Sequence, residues 1–105
     1  MIRIEEGVRL AGIRSELVLG LLIADQVFGR YEQECVITSA MRDRGPEDAL
    51  SLHHVGLAAD LRTRDLPGGD VAGAIRIDLS AALSRDWDVV LEEDHIHMEF
   101  DPKRG

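Results

Sequence analysis

The sequence predicts an α+β fold, a small antiparallel sheet with helices packed on one face. Two stretches carry apolar residues at helical spacing, five others show β-branched content or alternation, and turn residues separate them. The 105 residues point to one domain, residues 1–105, with one core. Hydrophobic residues make up 45% but aromatics only 4%, so that core must rest on Leu, Ile, Val and Ala.

Ile2, Ile4, Val8 and Leu10 alternate irregularly with charged residues and suggest a short edge strand. Ser15 is placed to cap a helix, with Glu16 in its first turn. Leu17, Leu21, Ala24, Val27 and Phe28 then recur at helical spacing, and Gly29 is the expected stop. That stripe reads as core-facing rather than as a membrane or partner surface. Cys35 to Ser39 is β-branched and reads as a strand, with Cys35 a small buried hydrophobe. Met41 to Leu50 is polar, contains Gly45-Pro46, and reads as a loop.

Leu57 to Arg62 alternates. Leu57, Ala59 and Leu61 share one face, and Ala58, Asp60 and Arg62 the other. Asp65 to Asp70 holds Pro67-Gly68-Gly69 and reads as a turn. Val71 to Ser84 has helical spacing at Val71, Ile75, Leu79 and Leu83. Asp86 to Leu91 and His95 to Phe100 read as strands. Glu92-Glu93-Asp94 between them is short enough for a tight hairpin or a bulge.

Charge and composition exclude several classes. Acidic residues number 20 against 12 basic ones, a formal charge of -8. Phosphate contacts need clustered Lys and Arg, so no nucleic-acid partner is expected. No attraction to an anionic membrane is expected either. The excess acid serves solubility. Cys35 is the single cysteine, so neither an internal disulfide nor a thiolate metal cluster can form, which fits a reducing compartment. The N-terminal residues lack the apolar run of a signal peptide, and no stretch has transmembrane length. Synthesis in the cytoplasm without membrane insertion is therefore expected.

All 4 histidines lie in two short stretches, Ser51 to Asp60 and Asp94 to Phe100. In the second, Ile96, Met98 and Phe100 fall on one strand face, and His95, His97 and Glu99 on the other. With the apolar set toward the core, both histidines project to the opposite side. Asp60 lies off the core side by the same argument. If the two strands are neighbours, these three potential ligands converge. Zinc suits such nitrogen and oxygen donors, at distances of about 2 Å. Two histidines and a carboxylate leave a fourth position for water, the mark of a catalytic site. His53 and Asp60 are seven residues apart, a span of about 10 Å on a helix, so they need the turn that Gly56 can supply.

Ser51-x-His53-x-x-Gly56-x-Ala58-x-Asp60 resembles the signature of the M15-type zinc peptidases. These are D-alanyl-D-alanine carboxypeptidases, dipeptidases and phage endolysins, which share a fold with the hedgehog signalling domain. Asp86-Trp87 to His95-Ile96-His97 is similar to the corresponding run of the hedgehog domain, and Thr38-Ser39-Ala40-Met41-Arg42 resembles a family strand ending in arginine. The resemblance covers roughly Val36 to Phe100. It implies a hedgehog/DD-peptidase-like fold with Zn2+ held by His53, Asp60 and His97.

The resemblance implies roles for other residues too. Asp94, three residues before His97, is the expected general base, with Glu92 its rival; period-2 alternation puts Asp94 on the face opposite His97 unless the hairpin turns it. Asp94 would take the proton of the attacking water and deliver it to the leaving amine. His95 would stabilise the oxyanion or assist proton transfer. Arg42 would pair with a substrate carboxylate through its planar fork, and Ser51 would hydrogen-bond near the site. Each has a plainer alternative: Arg42 a solvated loop charge, Ser51 a turn residue. His54 is expected beside the ligands or on the surface, and Glu99 to orient a histidine or face water.

The implied function is hydrolysis of peptide bonds in peptidoglycan stem peptides by a monomer, either of the D-Ala-D-Ala carboxypeptidase or of the L-Ala-D-Glu endopeptidase type. It fits a phage lysis enzyme released to the cell wall. The alternative is a non-catalytic zinc-binding interaction domain of the same fold.

Overall fold

A computed structural model of the chain describes residues 2–42 and 52–102. Strand β1 (Ile2–Ile4) is followed by helix α1 (Ser15–Arg30) and strand β2 (Cys35–Ser39). A single 3₁₀ turn (His53–Val55) leads into β3 (Ala58–Arg62). Helix α2 (Val71–Ala82), β4 (Trp87–Leu91) and β5 (His95–Phe100) complete the order. Most of the polar loop after Met41, with Ser51 and the side chain of His54, lies outside the described residues.

The five strands form one sheet in the order β1-β2-β3-β5-β4. Pairs β2–β3, β3–β5 and β5–β4 are antiparallel, but β1 runs parallel to β2. The sheet is therefore mixed, and the all-antiparallel expectation is corrected. The reason lies in the connection. A 16-residue helix separates β1 from β2, and a helical crossover returns the chain to the same end of the sheet, which gives a parallel pair. The four later strands are ordinary antiparallel neighbours. Glu92 donates its backbone N–H to the His95 carbonyl at 2.8 Å, closing the tight hairpin expected between β4 and β5.

Both helices share one core with the sheet. Leu17, Leu21, Ala24 and Phe28 of α1 meet Ile75 and Leu79 of α2 over Ile37, Leu61, Ile96 and Met98 of the strands. Cys35 is buried there too, and burial pushes its thiol up to about 12, which keeps it inert. Where α1 crosses β4, Gly20 leaves room for Trp87: a Cβ there would stand 2.3 Å from the indole ring. The ring is in turn tilted against Phe100, with centroids 5.4 Å apart.

The expected ends of α1 are corrected. Arg14, in extended conformation, is the N-cap residue, and Ser15 is already helical, its hydroxyl turned to Glu16 at 3.3 Å. Arg14 caps nothing with its side chain. Instead its backbone N–H and its Nε donate to the carbonyls of Gly56 (2.9 Å) and Val55 (3.2 Å), so the start of α1 is sewn to the turn that carries His53. At the other end the helix passes Gly29 and stops at Arg30. Glu32, at φ 57, takes the left-handed position, and the N–H of Gln33 reaches back to the Phe28 carbonyl at 3.0 Å.

The face of the sheet away from the helices carries the polar side chains. Ile96 and Met98 are fully buried while His95, His97 and Glu99 between them are half-buried on the other side, as alternation predicts. Register then aligns the two strands: Asp60 is opposite His97, Arg62 opposite His95 and Ala58 opposite Glu99.

Candidate metal centre

The centre is built from β3, β5 and the turn before β3. Asp60 and His97 are cross-strand partners, which brings the Asp60 Oδ1 and His97 Nδ1 to 2.8 Å. His53 arrives from outside the sheet. Its ring is 5.2 Å from that of His97, centroid to centroid, and its Nε2 lies 3.4 Å from the same Asp60 oxygen. One ligand atom from each of His53, Asp60 and His97 lies within 4.8 Å of the others.

Two local features hold His53 there. Gly56 ends the 3₁₀ turn at φ 77, where a side chain is strained. A Cβ at Gly56 would also come within 2.4 Å of the Gly12 carbonyl oxygen. The expected turn between His53 and Asp60 is thus real, and it needs glycine twice over. The second feature is a register shift between β2 and β3, from Ile37 opposite Leu61 to Ser39 opposite Asp60. Just beyond it, the Ala40 carbonyl accepts from His53 Nδ1 at 2.7 Å. A carbonyl only accepts, so Nδ1 carries a proton, and Nε2 is the nitrogen turned toward Asp60.

Glu99 orients the other histidine. Its Oε1 lies 2.7 Å from His97 Nε2, leaving His97 Nδ1 for the cluster. Without a metal both ring nitrogens of His97 face carboxylates. The hydrogen bond to Asp60 raises its pKa, burial opposes this, and Glu99 adds to the rise. A proton held on His97 Nδ1 would occupy the place of a cation. Burial by itself would push the Asp60 carboxyl up, but hydrogen bonds from His53 and His97, with the nearby His53 and His95, hold it well below the usual carboxylate range.

The donor set suits a borderline metal ion. Two imidazole nitrogens and a carboxylate oxygen are zinc-type ligands. Zinc bonds of about 2 Å at tetrahedral angles place ligand atoms roughly 3.3 Å apart, close to the 3.4 Å between His53 Nε2 and Asp60 Oδ1. His97 Nδ1 stands nearer, at a hydrogen-bond distance that a metal would open.

His95 lies at the edge of this cluster. Its Nε2 is 3.6 Å from Asp60 Oδ1, and its Nδ1 is 2.7 Å from Asp94 Oδ1. The hairpin turns the Asp94 carboxylate onto the histidine side, although the side chain is 84% exposed and bonds His95 rather than a ligand. Glu92 is exposed in the same hairpin. Arg42 is exposed, beside a cavity also lined by Glu6, Arg9 and Thr38.

Four residues escape a reading of the sequence for sites. The Ala40 carbonyl carries no side-chain signal at all. Asp88 and Asp101 meet Glu99 in a second acidic group that only strand pairing assembles. Arg62, opposite His95, is paired with Glu5 at 3.3 Å and with Asp65. For Arg62 the signal was present, since alternation puts it on the face of Asp60.

Fold and site together define a small α+β protein with a mixed five-stranded sheet and a His-Asp-His cluster able to hold a metal ion. No family model, curated protein or solved structure matches the chain. Among the described residues, no helix is long and apolar enough to cross a membrane.

Proposed function

We propose that this chain is a zinc-dependent peptidase that hydrolyses peptide bonds in peptidoglycan stem peptides, of the D-Ala-D-Ala carboxypeptidase or L-Ala-D-Glu endopeptidase type. The observation that carries the reading is the His53-Asp60-His97 cluster, with the His95–Asp94 pair bonded beside it. The Ser51 to Asp60 spacing and the Asp94 to His97 spacing support the same reading, because both resemble the M15-type, hedgehog-fold peptidases.

His53, Asp60 and His97 hold the zinc, which when bound supplies a Lewis acid and an acidified water. Ala40 and Glu99 fix the two imidazoles so that the other nitrogen of each is left for the cluster, where it would be available to the ion. Asp94 is the proton acceptor, and His95 stands between it and the cluster. A proton taken up at His95 Nε2 is matched by release from Nδ1 to Asp94, and the proton returns to the leaving amine. Arg42 binds a substrate carboxylate. The protein acts as a monomer on cell-wall peptides during phage lysis, without nucleic acid or membrane partners.

Purified protein loaded with zinc and incubated with cell-wall sacculi should release new amine termini. Asp94→Asn should lower that rate by about 100-fold or more while zinc stays bound. A zinc-loaded sample that releases no amines would sink the peptidase reading. The second reading, a non-catalytic zinc-binding interaction domain, is favoured by one observation: Asp94 bonds His95 and is largely exposed, rather than facing the ligands.

A further inference from the structure

Beside the metal centre, on the same face of the sheet, lies a cavity of about 200 Å³ lined by Glu5, Thr38, Arg62, Arg64, Asp94 and His95. We propose that it is a subsite for a zwitterionic α-amino-acid group, an ammonium and a carboxylate on one carbon, with Arg62 and Arg64 taking the carboxylate and Glu5 the ammonium. As a site for the amino acid that hydrolysis releases this rests on the peptidase reading; as a binding site it does not.

Position comes first. Arg62 is two residues after Asp60 on β3 and directly opposite His95 on β5. His95 lines the cavity and also approaches Asp60 Oδ1 through Nε2. An occupant touching His95 is therefore one imidazole ring from the ligand cluster.

Charge comes second. The lining carries two guanidiniums and two carboxylates, in a protein whose overall charge is -8. A purely anionic ligand would meet Glu5 and Asp94, and a purely cationic one would meet both arginines. A zwitterion offers each sign its opposite. The Asp94 carboxylate is already engaged by His95 Nδ1, which leaves Glu5 for the ammonium. The cavity is also small, sized for a single amino-acid head group rather than a drug-sized ligand.

Energetics come third. The guanidinium of Arg62 is 12% exposed, a planar fork held beside the cavity. Its Nη1 reaches Glu5 at 3.3 Å while its Nη2 stays paired with Asp65, and Glu5 is 41% exposed. A half-exposed ion pair of that length holds little free energy, so inserting a zwitterion between its members costs little. The exchange keeps plus opposite minus at both ends. It also lets the ligand carboxylate take up the guanidinium edge that the pair with Glu5 occupies.

The test uses D-alanine as probe, with its amide and its N-acetyl derivative as controls. Binding is followed by chemical shifts of the arginine side-chain N–H groups and of the His95 ring, with and without zinc. Saturable shifts at Arg62, Arg64 and His95 are expected with D-alanine. Both blocked forms should bind at least tenfold more weakly. Arg62→Gln should lose binding while retaining the zinc stoichiometry of the wild type; should that variant fail to fold, Arg64→Gln, on an exposed residue, should weaken binding at least threefold. Equal binding of free and blocked probes would overturn the proposal, as would the absence of saturable shifts at these residues. The two readings separate cleanly: amine release from sacculi without D-alanine binding removes the subsite and leaves the peptidase, and D-alanine binding without amine release does the reverse.

Discussion

Asp60 is the residue on which the centre turns. One of its oxygens, Oδ1, is approached by His97 at 2.8 Å, His53 at 3.4 Å and His95 at 3.6 Å. Three imidazoles around one carboxylate oxygen leave room for either protons or a cation, and the two compete. His97 has its pKa raised in the metal-free protein, so it adds stability that is complete below its unfolded value of about 6.5 and is lost as pH climbs through the folded value. Asp60 has the opposite sign. Its pKa is depressed, so its contribution is present above about 3.9 and is lost as pH falls. Thermal scans of metal-free protein should therefore show a melting temperature that declines on both sides of roughly pH 4–6.5. Because zinc must displace the His97 proton, its affinity should rise with pH over the window in which the metal-free protein weakens. A zinc affinity that is flat from pH 6 to 8 would contradict a ligand role for His97. Glu99 acts at one remove, through His97 Nε2. Glu99→Gln should weaken zinc by about 10–100-fold, measured by competition with a chromogenic chelator, while the fold persists.

At the scale of elements, the turn before β3 matters most. It links three things: the start of α1 through Arg14, the candidate ligand His53, and the strand that carries Asp60. Gly56 is where they meet. Gly56→Ala would put a Cβ against the Gly12 carbonyl and force a left-handed φ on alanine. The strain should cost about 2–4 kcal/mol in urea unfolding. It should also lower zinc affinity, because His53 is only three residues away; unchanged stability would show that the Gly12 segment yields freely. This glycine was legible in the sequence, since a histidine and an aspartate seven residues apart need a sharp turn between them. Gly20 was not. Within a helical stripe it resembles an ordinary weak helix residue, and only the Trp87 ring across the helix–strand contact explains it. The helix ends were misread for a related reason. Ser15 and Gly29 carry the usual cap chemistry, but Arg14 is tied to the 3₁₀ turn and Glu32 accepts the left-handed position, so contacts outside the helix set its limits.

For the whole molecule, the sheet is a platform with two faces: helices and an aliphatic core below, histidines and charges above. A domain of this size has little stability to spare, and a ligand that binds only the folded state adds to it. Zinc at about 100 times its dissociation constant should add roughly 2.7 kcal/mol, which for a chain of this length means a melting temperature higher by on the order of 10 °C. His97→Ala should abolish that increment, and an undiminished zinc-dependent shift in His97→Ala would remove the candidate centre. The strand faces followed from alternation alone, whereas His53 entered through the motif resemblance: the side-chain period in a strand is two, so Asp60, His95 and His97 had to leave the core side once Leu61, Ile96 and Met98 entered it. Pairing is another matter. That β1 runs parallel to β2, that β3 lies beside β5, that the Ala40 carbonyl meets His53, and that Asp88 and Asp101 gather around Glu99 depend on contacts between residues distant in the chain. Local spacing carries no record of such neighbours, because they are chosen by the burial of a common core and by the path of the α1 crossover.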